Sequence, residues 1–206
     1  SFSVGAEQQD TSLAVQFIVE LANMPFKQQE QILMFILDKL PRFSGASLDA
    51  RGNGQYLSEC AVDEYGELID AVMLSEKWYR ENTPAFKAAL EDGELTGIPK
   101  DKDVLADLRS FELVKGVARI PDKRAASDDS NNNNKRHGDT AISLLLMHHA
   151  SRSEKPTETG VAVEGATGAT GKSYGRNTSG DYMGGMDYSG SDIGEHGISM
   201  GMVQGF

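Results

Sequence analysis

Cysteine is nearly absent from this chain: Cys60 stands alone in 206 residues. That excludes an internal disulfide and any cysteine-built zinc site, and a cytoplasmic setting becomes the expectation. Long apolar runs are missing as well. Nothing approaches the roughly 20 consecutive residues that a membrane helix needs, so no membrane partner is expected. Positive charge is scarce, with 20 Lys+Arg against 31 Asp+Glu and a formal net charge of -11, which argues against a free-standing basic nucleic-acid module. A secretory leader is not expected either, because no basic start precedes an apolar core. The first residue is Ser rather than Met, so Ser1 is expected to be an interior point of a longer chain.

What is present divides unevenly. Residues 151–206 hold 13 of the 22 glycines, mixed with Ser, Thr, Asp and Tyr. Apolar residues there are scattered singly, as in Met183, Met186, Ile193, Ile198 and Met202, and follow no helical or strand period. Such a composition cannot offset its chain entropy by burial, so 153–206 is expected to be a disordered, low-complexity tail. Ala125 to Asn134, with four consecutive Asn, reads as a flexible loop. Residues 1–152 are then long enough for one core.

Within that body, strand and helix patterns alternate. Phe2 to Ala6 and Leu13 to Leu21 predict an antiparallel hairpin. Asn23 suits a helix N-cap and Pro25 its first turn, and Ile32, Leu33, Ile36, Leu37 and Leu40 recur at helical spacing until Pro41. A strand over Gly45 to Asp49, a turn with Gly52 and Gly54, and a helix from about Gln55 to Tyr65 make a β-α unit. Leu68 to Leu74 predicts a strand and Glu76 to Leu90 a helix that bends near Pro84. Asp103 to Phe111 gives a weak helix, Val114 to Ile120 a short strand, and Thr140 to Ala150 a strongly apolar helix. A hairpin followed by β-α alternation indicates an α/β fold, a mixed sheet flanked by helices.

Two acids attract notice. Asp49 leaves a predicted buried strand and enters the glycine turn Ala50-Arg51-Gly52-Asn53-Gly54, the place where α/β sheets gather ligands. Taken alone, an Asp there is more often a turn or cap residue. Asp139 opens the most apolar helix, where it can be a simple N-cap residue. If that helix packs on the sheet, however, the two carboxylates can meet, and paired carboxylates are what Mg²⁺ or Mn²⁺ ions need to act on a phosphodiester. Arg51, Lys123, Arg124, Lys135 and Arg136 lie beside these acids and are candidates to hold a phosphate backbone, with ordinary solvated charge as the alternative. Other signals carry less. Ala166 to Ser173 fits a relaxed Walker A pattern without the strand and helix that motif requires. Trp78, Tyr79 and Phe86 read as core, and His148 and His149 as surface or packing residues.

The stretches MPFKQQEQILMFILDKL (Met24 to Leu40), PRFSGASLDARGNGQYLSE (Pro41 to Glu59), VMLSEKWYRENTPAFK (Val72 to Lys87) and RHGDTAISLLLMHHA (Arg136 to Ala150) resemble the C-terminal nuclease domain of the large terminase subunit of Mu-like tailed phages. The resemblance implies an RNase H-like domain over 1–152 that cuts double-stranded viral DNA with Mg²⁺ or Mn²⁺ in the host cytoplasm. ATP would be used only by an upstream motor domain, and the portal and small terminase subunit would be partners. Asp49 and Asp139 match two family acids and His137 resembles a histidine found near the metals. A third family acid sits on the central first strand, and the expectation is that this strand precedes Ser1, leaving the sheet without its middle. Two other readings stay open: a non-catalytic docking module of the packaging motor, and another RNase H-like nuclease of resolvase or transposase type.

Overall fold

The structure, a computed structural model, describes residues 1–52, 54–121, 138–153 and 200–204. The chain opens with a hairpin, β1 (Phe2–Glu7) and β2 (Leu13–Val19), joined by a turn in which Thr11 takes a positive φ and Asp10 accepts from the Ser12 amide and hydroxyl. Helix α1 (Phe26–Lys39) follows. Its N-cap is Pro25, not Asn23. Asn23 instead adopts a left-handed φ of 52° in the turn leading in, a conformation Asn tolerates better than most residues. Leu33, Ile36 and Leu37 form the buried stripe of α1.

Strand β3 (Phe43–Asp49) leads through the glycine turn into α2 (Gly54–Tyr65), then a 3-10 turn (Gly66–Leu68) and β4 (Ile69–Val72). The unit is a right-sized β-α-β crossover, and β3 and β4 pair in parallel as such a crossover requires. Helix α3 (Glu76–Glu91) is capped by the Ser75 hydroxyl, which accepts from the Trp78 amide, and it runs on through Pro84 as one helix. A two-residue strand β5 (Leu95–Thr96) and helix α4 (Lys102–Leu108) come next. The span predicted as one strand from Val114 to Ile120 is a hairpin of β6 (Glu112–Val114) and β7 (Val117–Arg119). Lys115 and Gly116 both have positive φ, the geometry of a tight two-residue turn that reverses the chain. Helix α5 (Asp139–Arg152) and strand β8 (Met200–Gln204) complete the described elements.

The main sheet has the order β4-β3-β8-β1-β2-β5. Its middle is occupied, though by a strand other than the one expected there. Residues 200–204, within the stretch read as a tail, lie parallel to β1 and antiparallel to β3. Alternation along the strands divides two cores. Phe2, Val4, Ala46, Leu48 and Ile69 pack with α1 and α2 on one face, while α5 and α3 cover the other with Leu13, Val15 and Val72. Helix α5 is buried along nearly its whole circumference, from Thr140 to His148 without a break. That is why its apolar residues show no one-sided stripe: it is the central helix of its layer.

A row of paired residues runs across the sheet beneath α5: Ile18, Ser3, Gly201, Ser47 and Asp70. Its middle three are small, and Ser3 and Ser47 are wholly buried. The Ser3 hydroxyl bonds the Ser143 hydroxyl of α5 at 2.6 Å, and a Cβ on Gly201 would overlap the backbone of Met147. The helix thus comes down onto the sheet along a row of small residues.

Candidate metal and nucleic-acid site

Asp49 is the last residue of β3, and strand alternation turns Ser47 and Asp49 toward α5 while Ala46 and Leu48 enter the opposite core. The turn after it is tightly specified. Asp49 Oδ1 accepts the Arg51 amide at 3.0 Å, and the Arg51 Nε lies 3.6 Å from the same oxygen. Gly52 has a φ of +52°, and Gly54 opens α2 where any Cβ would run into the Asp49 carbonyl oxygen. The turn role of Asp49 is therefore real, and it falls on one carboxylate oxygen.

Asp139 is the first residue of α5, behind the N-cap Gly138, whose φ of 75° and contacts with Ile120 and Ser110 leave no space for a side chain. Burial pushes the Asp49 carboxyl above the usual carboxylate range. The hydrogen bond and charge of Arg51 oppose that shift, and the negative charge of Asp139 adds to it. The first turn of α5 is thus within electrostatic reach of the end of β3.

Residues not singled out from sequence gather near Asp139. The Thr140 hydroxyl donates to Glu20 Oε1 at 2.6 Å, and the Thr140 amide donates to Asp107 Oδ2 at 3.2 Å. Asp107 is only 2% exposed. The signal for Asp107 was its spacing: it lies three residues after Val104, on the buried side of α4, where an acid is out of place. At the other end of α5, His149 bridges three elements. Its Nδ1 is 2.9 Å from Asn82 Oδ1, its Nε2 is 2.9 Å from Asp70 Oδ2, and its ring meets Trp78 edge-on at 5.3 Å. His148 is a packing residue, buried against Phe86.

Of the residues expected at the site, Asp49, Arg51 and Asp139 are placed; His137, Lys123, Arg124, Lys135 and Arg136 lie outside the described residues. Among the described residues no three His, Cys, Asp or Glu side chains are grouped to hold a metal ion. The donors present are hard carboxylate oxygens, the type that suits Mg²⁺ or Mn²⁺, and the mutual repulsion of Asp49 and Asp139 is what a bound cation would relieve. No helix among the described residues is long and apolar enough to cross a membrane.

Comparison with known proteins shows the family. The chain is 42% identical over 151 residues, 73% of its length, to the Mu-like prophage FluMu protein gp28 of Haemophilus influenzae. It is 43% identical over 136 residues, 66% of its length, to the probable terminase large subunit gp28 of Escherichia phage Mu. The chain belongs to the Mu-like gp28 large-terminase family. It spans less than a third of those relatives, 29% and 24% of their respective lengths. No family model matches this gp28 relative, and no solved structure does.

One consequence of the Asp49 environment is measurable without any substrate. A carboxyl whose folded pKa lies above its unfolded value binds more protons in the native state. Stability therefore falls as pH rises from the unfolded toward the folded pKa, and the penalty persists at neutral pH. Asp49→Asn keeps an oxygen for the Arg51 amide and removes the buried charge. Metal-free thermal melts are expected to show the variant a few degrees more stable at pH 7, with the gap closing near pH 4.

Proposed function

We propose that this gp28 relative is the nuclease portion of a phage DNA-packaging terminase large subunit, an RNase H-like domain that hydrolyses double-stranded viral DNA in the host cytoplasm. What supports the reading is that Asp49, at a strand end beside a glycine turn, lies within electrostatic reach of Asp139 in the first turn of the helix laid across the sheet. The relatives supply the packaging context. Asp49 and Asp139 would hold Mg²⁺ or Mn²⁺, which when bound supplies an activated water and charge neutralisation at the departing oxygen. Arg51 steadies the Asp49 carboxylate from one side and carries a half-exposed guanidinium toward a phosphate. Gly52 and Gly54 keep the turn low enough for a DNA backbone to approach. Lys123, Arg124, Lys135 and Arg136 are proposed to grip the DNA strand, and His137 to assist at the metals. Double-stranded DNA, the portal and the small terminase subunit are the proposed partners, with ATP used in another part of the longer protein.

The test uses the full-length protein. Asp49→Asn and Asp139→Asn are expected to lower Mn²⁺-dependent plasmid cutting at least 100-fold with circular dichroism unchanged. Undiminished cutting by both variants removes these aspartates from the site. A second reading, a docking module of the packaging motor, is favoured by the absence of a three-ligand cluster among the described residues, and it gains if the wild-type protein binds no Mn²⁺.

A further inference from the structure

Helix α5 starts without a cap of its own. The first N–H groups of a helix have no partner inside it, and the ordinary remedy is an oxygen on the N-cap side chain. Gly138 stands at that position, has no side chain to offer, and is held at a φ of 75° against Ile120 and Ser110. The Thr140 amide is served from another element: Asp107 of α4, 33 positions earlier, accepts it at 3.2 Å. From a second direction Glu20, just past the end of β2, accepts the Thr140 hydroxyl at 2.6 Å. Thr140 itself has no exposed surface, so its donors look to protein acceptors rather than to bulk water.

Residue 140 is one peptide away from Asp139, about 3.8 Å between Cα atoms. An aspartate has a short side chain with two rotatable bonds, so the place of its carboxylate follows closely from the place of its backbone. A carboxylate that must share a cation with Asp49 tolerates little displacement, since an error of about 1 Å can cost about 100-fold. Helix capping alone does not call for this arrangement. A neutral Asn or Ser side chain would cap the amide without placing a carboxylate, 2% exposed, in the interior. We propose that Asp107 and Glu20 are positioning residues: they grip Thr140 from α4 and from the end of β2, and so set where the first turn of α5 holds the Asp139 carboxylate. Neither is assigned to touch the metal. The inference rests on the nuclease reading for the use made of Asp139, and deepens it.

The test measures Mn²⁺ binding to the full-length protein by electron paramagnetic resonance, without nucleotide or DNA, alongside plasmid cutting. Asp139→Asn sets the reference, the loss of a Mn²⁺ site. Asp107→Ala and Thr140→Val are expected to weaken that site about 10–100-fold, the range for losing a residue behind a metal ligand. Asp107→Asn keeps an acceptor for the amide and Thr140→Ser keeps the hydroxyl, so both are expected to bind Mn²⁺ nearly as the wild type does. The two Thr140 variants separate positioning from packing. Val fills the space of threonine without the hydroxyl, while Ser keeps the hydroxyl and loses a buried methyl, so a purely structural role would harm Thr140→Ser at least as much. In the metal-free protein, hydrogen exchange at the Thr140 amide is expected to speed up in Asp107→Ala, and an unchanged rate overturns the inference. So does wild-type Mn²⁺ affinity in both Asp107→Ala and Thr140→Val when Asp139→Asn has lost the site, a result that leaves the nuclease reading standing. Wild-type affinity in Asp139→Asn overturns the reading and the inference together. Glu20→Ala, at an exposed position, removes the acceptor of the hydroxyl from outside the core and decides the same link should Thr140→Val fail to fold.

Discussion

Leu145→Ala is expected to destabilise the protein by about 2–5 kcal/mol, the range for truncating a fully buried leucine. Leu145 has no exposed surface and sits in the middle of α5, between Leu144 and Leu146, which are equally buried. Losing its branched end leaves a void in the core packed around α5, on the side turned away from Ser143 and the sheet, and neighbours fixed in a packed interior relax only partly into it. For a chain of this length the melting temperature falls by roughly 2–4 °C per kcal/mol, so a drop of about 4–20 °C is anticipated. Phe35→Ala provides the contrast. Phe35 is a larger side chain but 63% exposed on the outer side of α1, and its removal should stay within about 0.5 kcal/mol. Urea unfolding of both variants decides the matter. A Leu145→Ala midpoint no lower than that of Phe35→Ala would mean that α5 is not the buried helix of its layer.

The second large effect is acid sensitivity through His148. Burial, with the positive charges of Arg152 and His149 nearby, pushes its pKa down from 6.5 to about 4. An unfolded chain therefore takes up a proton at this residue between roughly pH 6.5 and 4 while the folded chain does not. Stability is present above that window and drains away as pH falls through it. His148→Asn, which cannot titrate, should flatten part of this loss. Melting temperatures from pH 7 to pH 4.5 are expected to decline less steeply in the variant, by several degrees across the range. Parallel curves for the two proteins would show that the imidazole does not titrate in this environment.

Much of this architecture was legible in residue patterns, for identifiable reasons. The α1 stripe of Leu33, Ile36 and Leu37 follows helical spacing because only one face of that helix is covered. The β3-α2-β4 unit was visible because Gly52 and Gly54 punctuate it. The β6-β7 hairpin was hidden because its reversal occupies just Lys115 and Gly116, and the strands are three residues each. Asn23 misled because the same residue type serves helix caps and left-handed turns. β8 left no trace at all: Met200, Gly201 and Met202 look like their glycine-rich surroundings, and a strand supplied to the middle of a sheet is defined by its neighbours rather than by its own alternation. At the candidate site, Asp49 and Asp139 were visible from their places at element ends. Glu20 gave no signal and Asp107 only that of an acid on the buried side of a helix, since their convergence on Thr140 comes from chain segments far apart in sequence.

The placement of β8 also bears on the order of assembly. Ser3 and Gly201 are neighbours across a ladder although nearly two hundred residues separate them along the chain. Contacts so distant in sequence form slowly, because a large loop must close before any bonding rewards it. On a ribosome the hairpin, the crossover and α5 emerge long before their keystone. Between the emergence of α5 and that of Gly201 the β1–β8 and β3–β8 ladders cannot form, which makes their pairing a late event of folding.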